Sequence, residues 1–145
     1  MIAIGSDHGG FVLKNAIMKH LESKNIQFKD YGCYDLNSVD YPDIAHSVCV
    51  PVQKGEAEFG ILICGTGIGI SIAANKHKGI RAAVLSDEYS ATKTRQHNNA
   101  NVVCMGGRVI GEDLAISILE AYMSAEFEGG RHQTRVDKIT NIENL

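Results

Sequence analysis

Phe59-Gly-Ile-Leu-Ile-Cys64-Gly-Thr-Gly-Ile-Gly69 is the stretch that decides the fold. Its first six residues are almost continuously apolar, the pattern of a strand buried on both faces of a parallel sheet. Three glycines then alternate from Gly65 to Gly69, and an Ile- and Ala-rich segment to about Lys76 reads as a helix. Strand, glycine turn and helix make one βα unit, and similar units flank it. Residues 1–5 form an apolar run stopped by Gly5, with Ser6 and Asp7 available as helix caps. The helix that follows carries Leu13, Ala16, Ile17, His20 and Leu21 on one face, and Lys14, Asn15, Lys19 and Glu22 on the other. Residues 26–31 read as a second strand, 32–42 as a turn-rich stretch. Ala45, Val48, Cys49 and Val52 then mark a helical stripe that Pro51 should kink or end. Residues 80–85 and 102–105 supply the fourth and fifth strands. Between them lies a polar helix from Asp87 to about Asn98. A last helix, Glu112 to Phe127, presents Ala115, Ile118, Leu119, Tyr122 and Glu126 along one face.

Strands alternating with helices predict an α/β protein: a three-layer Rossmann-like fold with a five-stranded parallel sheet, helices on both faces and right-handed crossovers. No break in composition divides the 145 residues, so one domain is expected over 1–145, with a basic tail from about 129. A net charge of −3 argues against a protein that wraps nucleic acid, and 6% aromatic content without Trp supplies few stacking platforms. The apolar runs are far shorter than the ~20 residues of a membrane helix. Four cysteines occur with no C-x-x-C pair and no export signal, which predicts reduced thiols in a cytoplasmic protein and no cysteine-built metal site.

In such folds ligands bind beyond the carboxyl ends of the strands. That rule picks out 6–10, 64–69, 86–88 and 106–111. The glycines of 65–69 let backbone N–H groups approach an anion closely, and the same groups favour a thiolate at Cys64. A tight turn closing a strand beside an inert cysteine is the other reading of that loop. It is neither a dinucleotide fingerprint, since Ile70 stands where the last glycine belongs, nor a P-loop, since no G-K-[ST] follows. Asp7-His8-Gly9-Gly10 lies on the same sheet edge; two glycines at a helix start cost helix stability, which points to a site. In the tail, Arg131-His132-x-x-Arg135 puts two guanidinium groups on one side of a helix or turn, a pairing suited to phosphate. Cations, an anion-stabilising loop and an activatable thiol are the parts needed for proton transfer next to the carbonyl of a phosphorylated molecule.

Seven motifs in order, Gly5-Ser-Asp-His-Gly-Gly10, Asp40-Tyr-Pro-Asp43, Cys64-Gly-Thr-Gly-Ile-Gly69, Ile72-Ala-Ala-Asn-Lys76, Gly79-Ile-Arg-Ala-Ala83, Gln96-His-Asn-Asn-Ala-Asn101 and Gly129-Gly-Arg-His-x-x-Arg135, run essentially end to end. Together they resemble the type B ribose-5-phosphate isomerase family, which also holds galactose-6-phosphate and allose-6-phosphate isomerases. The resemblance implies a cofactor- and metal-independent aldose–ketose isomerase acting through a cis-enediolate. It implies Cys64 as the base, since no acid stands at 70–74 to replace it. It implies Gly65, Gly67, Ile68 and Gly69 around the enediolate oxygen, with Thr66 and Ser71 flanking. His97, assisted by Asp7 or Thr66, is the ring-opening group. His8, Tyr41 and Asn98 bind substrate, and Arg131, Arg135 and Arg108 anchor the phosphate. Two other readings remain at this point: an isomerase of a six-carbon sugar phosphate, and a non-catalytic sugar-phosphate-binding regulator.

Topology adds a constraint. Cys64 and Asp7 close strands on one sheet edge, whereas His97 ends a helix that runs back to the opposite edge, a separation on the order of 15 Å. If both serve one substrate, His97 comes from a neighbouring subunit of a two-fold homodimer. Whether such dimers pair again is left open.

Overall fold

The computed structural model describes residues 1–145. Its elements run β1 (Ile2–Ser6), α1 (Phe11–Ser23), β2 (Phe28–Asp30), α2 (Tyr41–Gln53), β3 (Phe59–Cys64), α3 (Ile68–Ala74), β4 (Ala82–Val84), α4 (Glu88–Asn98), β5 (Val102–Gly106), α5 (Glu112–Met123) and α6 (Arg131–Ile142). The five strands are all parallel, in the order β2-β1-β3-β5-β4. The expected α/β three-layer architecture is therefore present. No helix is long and apolar enough to cross a membrane.

Alternation along β3 builds the two halves of the core. Ile61 and Ile63 pack with Ile17, Leu21, Ala91, Ile118 and Leu119 of α1, α4 and α5. Leu62 and Cys64 face the other way, against Val48 and Cys49 of α2 and Ile70 and Ala74 of α3. Every residue of β3 is buried, as its continuous apolar run requires. Asp87 caps α4 by accepting the Ser90 N–H at 2.7 Å.

Several elements differ from the sequence expectation. The strands β2 and β4 shrink to three residues each, because they lie at the two edges of the sheet and pair on one side only. Pro51 does not end α2 at its own position; the helix runs two residues further, to Gln53, and the Pro51 carbonyl accepts the N–H groups of Glu56 and Ala57. Neither Ser6 nor Asp7 caps α1, which begins after Gly10. Lys14 is not on a solvated face: it is fully buried, its ammonium 2.7 and 2.9 Å from the Asp30 carboxylate and bonded to the Cys33 carbonyl. Cys33, within the stretch read as turn-rich, is buried with it. The helix α5 stops at Met123, so Glu126 is exposed rather than on its apolar face. The chain leaves α5 because the Glu128 N–H reaches across to the Gln96 carbonyl, 3.0 Å away on α4. The tail then forms α6, which buries His132 and Val136 and packs against α4.

Candidate active site

At the carboxyl edge of the sheet, three loops converge behind β1, β3 and β5. Cys64 ends β3, is 5% exposed, and its Sγ accepts the Gly67 N–H at 3.1 Å. Gly67 has φ +81°, which turns this amide back over the sulfur, and a Cβ there would lie 2.8 Å from the Met105 carbonyl carbon. Such a donor bonds a thiolate more strongly than a thiol. Cys49 and Cys104 share this half of the core. Burial pushes the Cys49 thiol up to about 12 and raises Cys104 well above its ordinary value.

Around Cys64 the loops lock together. The Gly107 N–H donates to the Cys64 carbonyl at 2.8 Å, and the Arg108 N–H to the Gly65 carbonyl at 3.0 Å. The Arg108 side chain runs beside Gly65, with its Nη1 3.4 Å from where a Gly65 Cβ would stand. Gly9 abuts the same residue, since its own Cβ would sit 3.1 Å from the Gly65 nitrogen. Asp7 is buried; its Oδ1 accepts the N–H groups of Gly9 (2.9 Å) and Gly10 (3.2 Å) and so shapes the turn that brings Gly9 there. His8 Nδ1 accepts the Val39 N–H at 3.2 Å, which in a neutral ring leaves Nε2–H as its donor. Tyr41 opens α2 with its ring against Gly69: a Cβ at Gly69 would meet Tyr41 Cζ at 2.7 Å. Thr66 Oγ1 accepts the Ile68 N–H at 3.2 Å, and Ser71 Oγ donates to the Ile68 carbonyl at 2.6 Å.

The remaining sequence-derived residues lie elsewhere. His97 and Asn98 end α4 beside Ala100, just before β5 begins. In the register of β3 and β5, Val102 pairs with Gly60 and Gly106 with Cys64. Four residues of rise at about 3.3 Å put roughly 13 Å between those two levels. One chain therefore holds Asp7, His8, Tyr41, Cys64–Gly69, Ser71 and Arg108 at one edge, and His97 with Asn98 at the other. Arg131 and Arg135 are exposed on α6 and go with His97, since His132 between them stacks on the His97 ring, centroids 4.1 Å apart and planes within 8°. Both His97 Nε2 and His132 Nε2 lie 3.5 Å from Glu128 Oε1. Burial, then the neighbouring His97 and Arg131, lower the His132 imidazole from its ordinary value. Sequence reasoning missed Glu128 and the role of His132 as partner to His97. Glu128 and His132 are four apart, but nothing in the spacing signals that α4 delivers His97 to them.

A family model described as Ribose/Galactose Isomerase matches residues 2–139. The chain belongs to that family. The ribose/galactose isomerase fold is matched closely by the solved ribose-5-phosphate isomerase B of Clostridium thermocellum, at a TM-score of 0.97 and 52% identity over 99% of this chain and 97% of that one. Ribose-5-phosphate isomerase B of Escherichia coli is 52% identical over 98% of this chain and 95% of its own length. The structure of ribose-5-phosphate isomerase B from Mycoplasma genitalium with bound ribulose-5-phosphate has a TM-score of 0.95 at 45% identity, covering 99% and 95% of the two chains.

Proposed function

We propose that this family member interconverts ribose 5-phosphate and ribulose 5-phosphate in a homodimer whose two active sites are each built from both chains. The observation that carries the reading is the cysteine bonded by a loop amide at one sheet edge, with the histidine and arginine pair stranded at the other. The Cys64 thiolate takes the proton from C2 of the open aldose and becomes a thiol. The electron pair moves into the C1–C2 bond and onto O1, giving a cis-enediolate. Loop amides of 65–69 face the charge on the enediolate oxygens, and the thiol returns the proton to C1 as the hydroxyl proton passes from O2 to O1. Before this, His97 of the neighbouring subunit opens the furanose, exchanging a proton between the anomeric hydroxyl and the ring oxygen, with Asp7 or Thr66 assisting. Arg131 and Arg135 arrive with His97 to hold the phosphate, and Arg108 meets them from the Cys64 side.

The surface supports a second copy. Ile68 and Ile72 on α3, Val84 on the edge strand β4, and Ile139 and Ile142 on α6 are all exposed. Between β4, α4 and α6 lies a groove of about 420 Å³ lined by Ile80, Ala82, Ala83, Ala100, Ile139 and Ile142. Burying such a patch against its own copy is the usual fate of a surface of this kind. All four cysteines are free, which fits a reducing, cytoplasmic setting.

The test uses ribose 5-phosphate turnover by purified wild type, by Cys64→Ala and by His97→Ala. Cys64→Ala should lose at least 10²-fold in kcat, the lower end of what a positioned base contributes; a variant keeping a tenth of wild-type kcat would remove Cys64 as base. Mixing the two variants under subunit exchange should restore activity toward a quarter of wild type, because half the dimers are mixed and each carries one intact site. No recovery, with exchange verified by mass, places both residues in one subunit.

A further inference from the structure

The geometry points to a transition-metal site made by His97, Glu128 and His132, through which a zinc-class cation blocks ring opening. The donor set is two imidazole nitrogens and one carboxylate oxygen, a set that zinc accepts with one coordination position left open. The three donor atoms all lie within 4.8 Å of one another. The two Nε2···Oε1 separations, 3.5 Å each, are too long for good hydrogen bonds. They match what a metal needs instead. Ligands at about 2.0–2.2 Å in a tetrahedral arrangement sit about 3.4 Å from each other.

The framework that holds the donors is built in. His132 is buried on α6, Glu128 lies four residues before it in the loop that leads into that helix, and the Glu128 N–H is tied to the Gln96 carbonyl beside His97. The stacked rings present their Nε2 edges side by side to one carboxylate oxygen, so a modest tilt of the rings brings both lone pairs onto one ion. An ion bound there occupies His97 Nε2 and its approach.

The inhibitory half of this inference rests on the ring-opening role proposed above; the metal site does not. The experiment separates them. Zn²⁺ alone is titrated into the metal-free full-length protein against a chromophoric chelator, and activity on ribose 5-phosphate is followed in parallel. One ion per chain is expected. Glu128→Gln and His132→Ala should each weaken binding at least about tenfold, while Cys64→Ser and His77→Ala should leave it unchanged. The last two are chosen because the thiol, and the exposed His46–His77 pair with its nitrogens 2.9 Å apart, are the competing places for zinc. Binding that is absent in the wild type, is lost in Cys64→Ser or His77→Ala, or ignores Glu128→Gln overturns the site. Stoichiometric binding lost in Glu128→Gln and accompanied by inhibition supports both halves. The same binding with turnover intact keeps the site and removes His97 from ring opening.

Discussion

Replacing Gly67 by alanine separates the two things this residue does for Cys64. The substitution puts an L side chain at φ +81° and a Cβ 2.8 Å from the Met105 carbonyl carbon. The left-handed conformation costs an L-residue roughly 1–2 kcal/mol. The overlap is with backbone, so the loop must move rather than a side chain rotate. Moving it breaks the 3.1 Å bond from the Gly67 N–H to Cys64 Sγ. Hydrogen bonds to charged groups contribute about 1.5–3 kcal/mol. At about 1.4 kcal/mol per decade, kcat should fall about 10- to 150-fold. Gly55→Ala is the matched control: φ is +72° there, but nothing lies within 4 Å of the added Cβ. It should cost about 1 kcal/mol of stability and leave turnover alone. Steady-state kinetics and the rate of Cys64 alkylation by iodoacetamide, read alongside urea unfolding, report both effects. Gly67→Ala with wild-type kcat and wild-type alkylation would show that the amide contributes nothing to the thiolate. An equal loss of kcat in both variants would show that general destabilisation explains the effect.

Lys14→Met takes the buried ammonium away from the partly buried Asp30 carboxylate and should destabilise the fold by about 1.5–3 kcal/mol in urea unfolding, with part of the loss recovered in Lys14→Met/Asp30→Asn; no measurable change would contradict the pairing. Because His97, Arg131 and Arg135 share one edge of one chain, Cys64→Ala should be complemented by Arg131→Ala in subunit-exchange assays, whereas His97→Ala and Arg135→Ala should not rescue each other beyond the sum of their residual activities. Arg131→Ala and Arg135→Ala should each raise KM for ribose 5-phosphate by about tenfold or more, the value of one charge-assisted bond, and leave turnover of unphosphorylated ribose, where measurable, unaffected.

The parts of the molecule legible in the sequence are those written by short-range pattern. The run Phe59–Cys64 is apolar at every position but Gly60, and it is the fully buried central strand. Of the glycines that follow it, Gly67 is the one whose place no larger residue fits, since a Cβ there would meet the Met105 backbone at 2.8 Å. Long-range pairings were not legible. Lys14 looked solvated because its partner, Asp30, is sixteen residues away across a strand. The end of α5 at Met123 could not be read from its stripe, because the bond that draws the chain aside is to Gln96 on another helix. The same holds for the site. Its Cys64 half follows from the rule that ligands gather at strand ends. The placement of Arg131 and Arg135 with His97, and of Glu128 between two histidines, exists only once α6 has packed on α4.

That packing also sets where the molecule opens. Cys64 ends β3, paired on both sides by β1 and β5 and covered by helices on both faces, so the amides of that strand are expected among the slowest to exchange with solvent. The arginines ride on α6, which buries two residues and has α4 as its one substantial neighbour within the chain. A free-energy map of the single chain drawn by hydrogen exchange would thus place Cys64 on the stiffest element and Arg131 and Arg135 on one of the softest. In the site proposed above, a ligand held by both would tie the soft helix down.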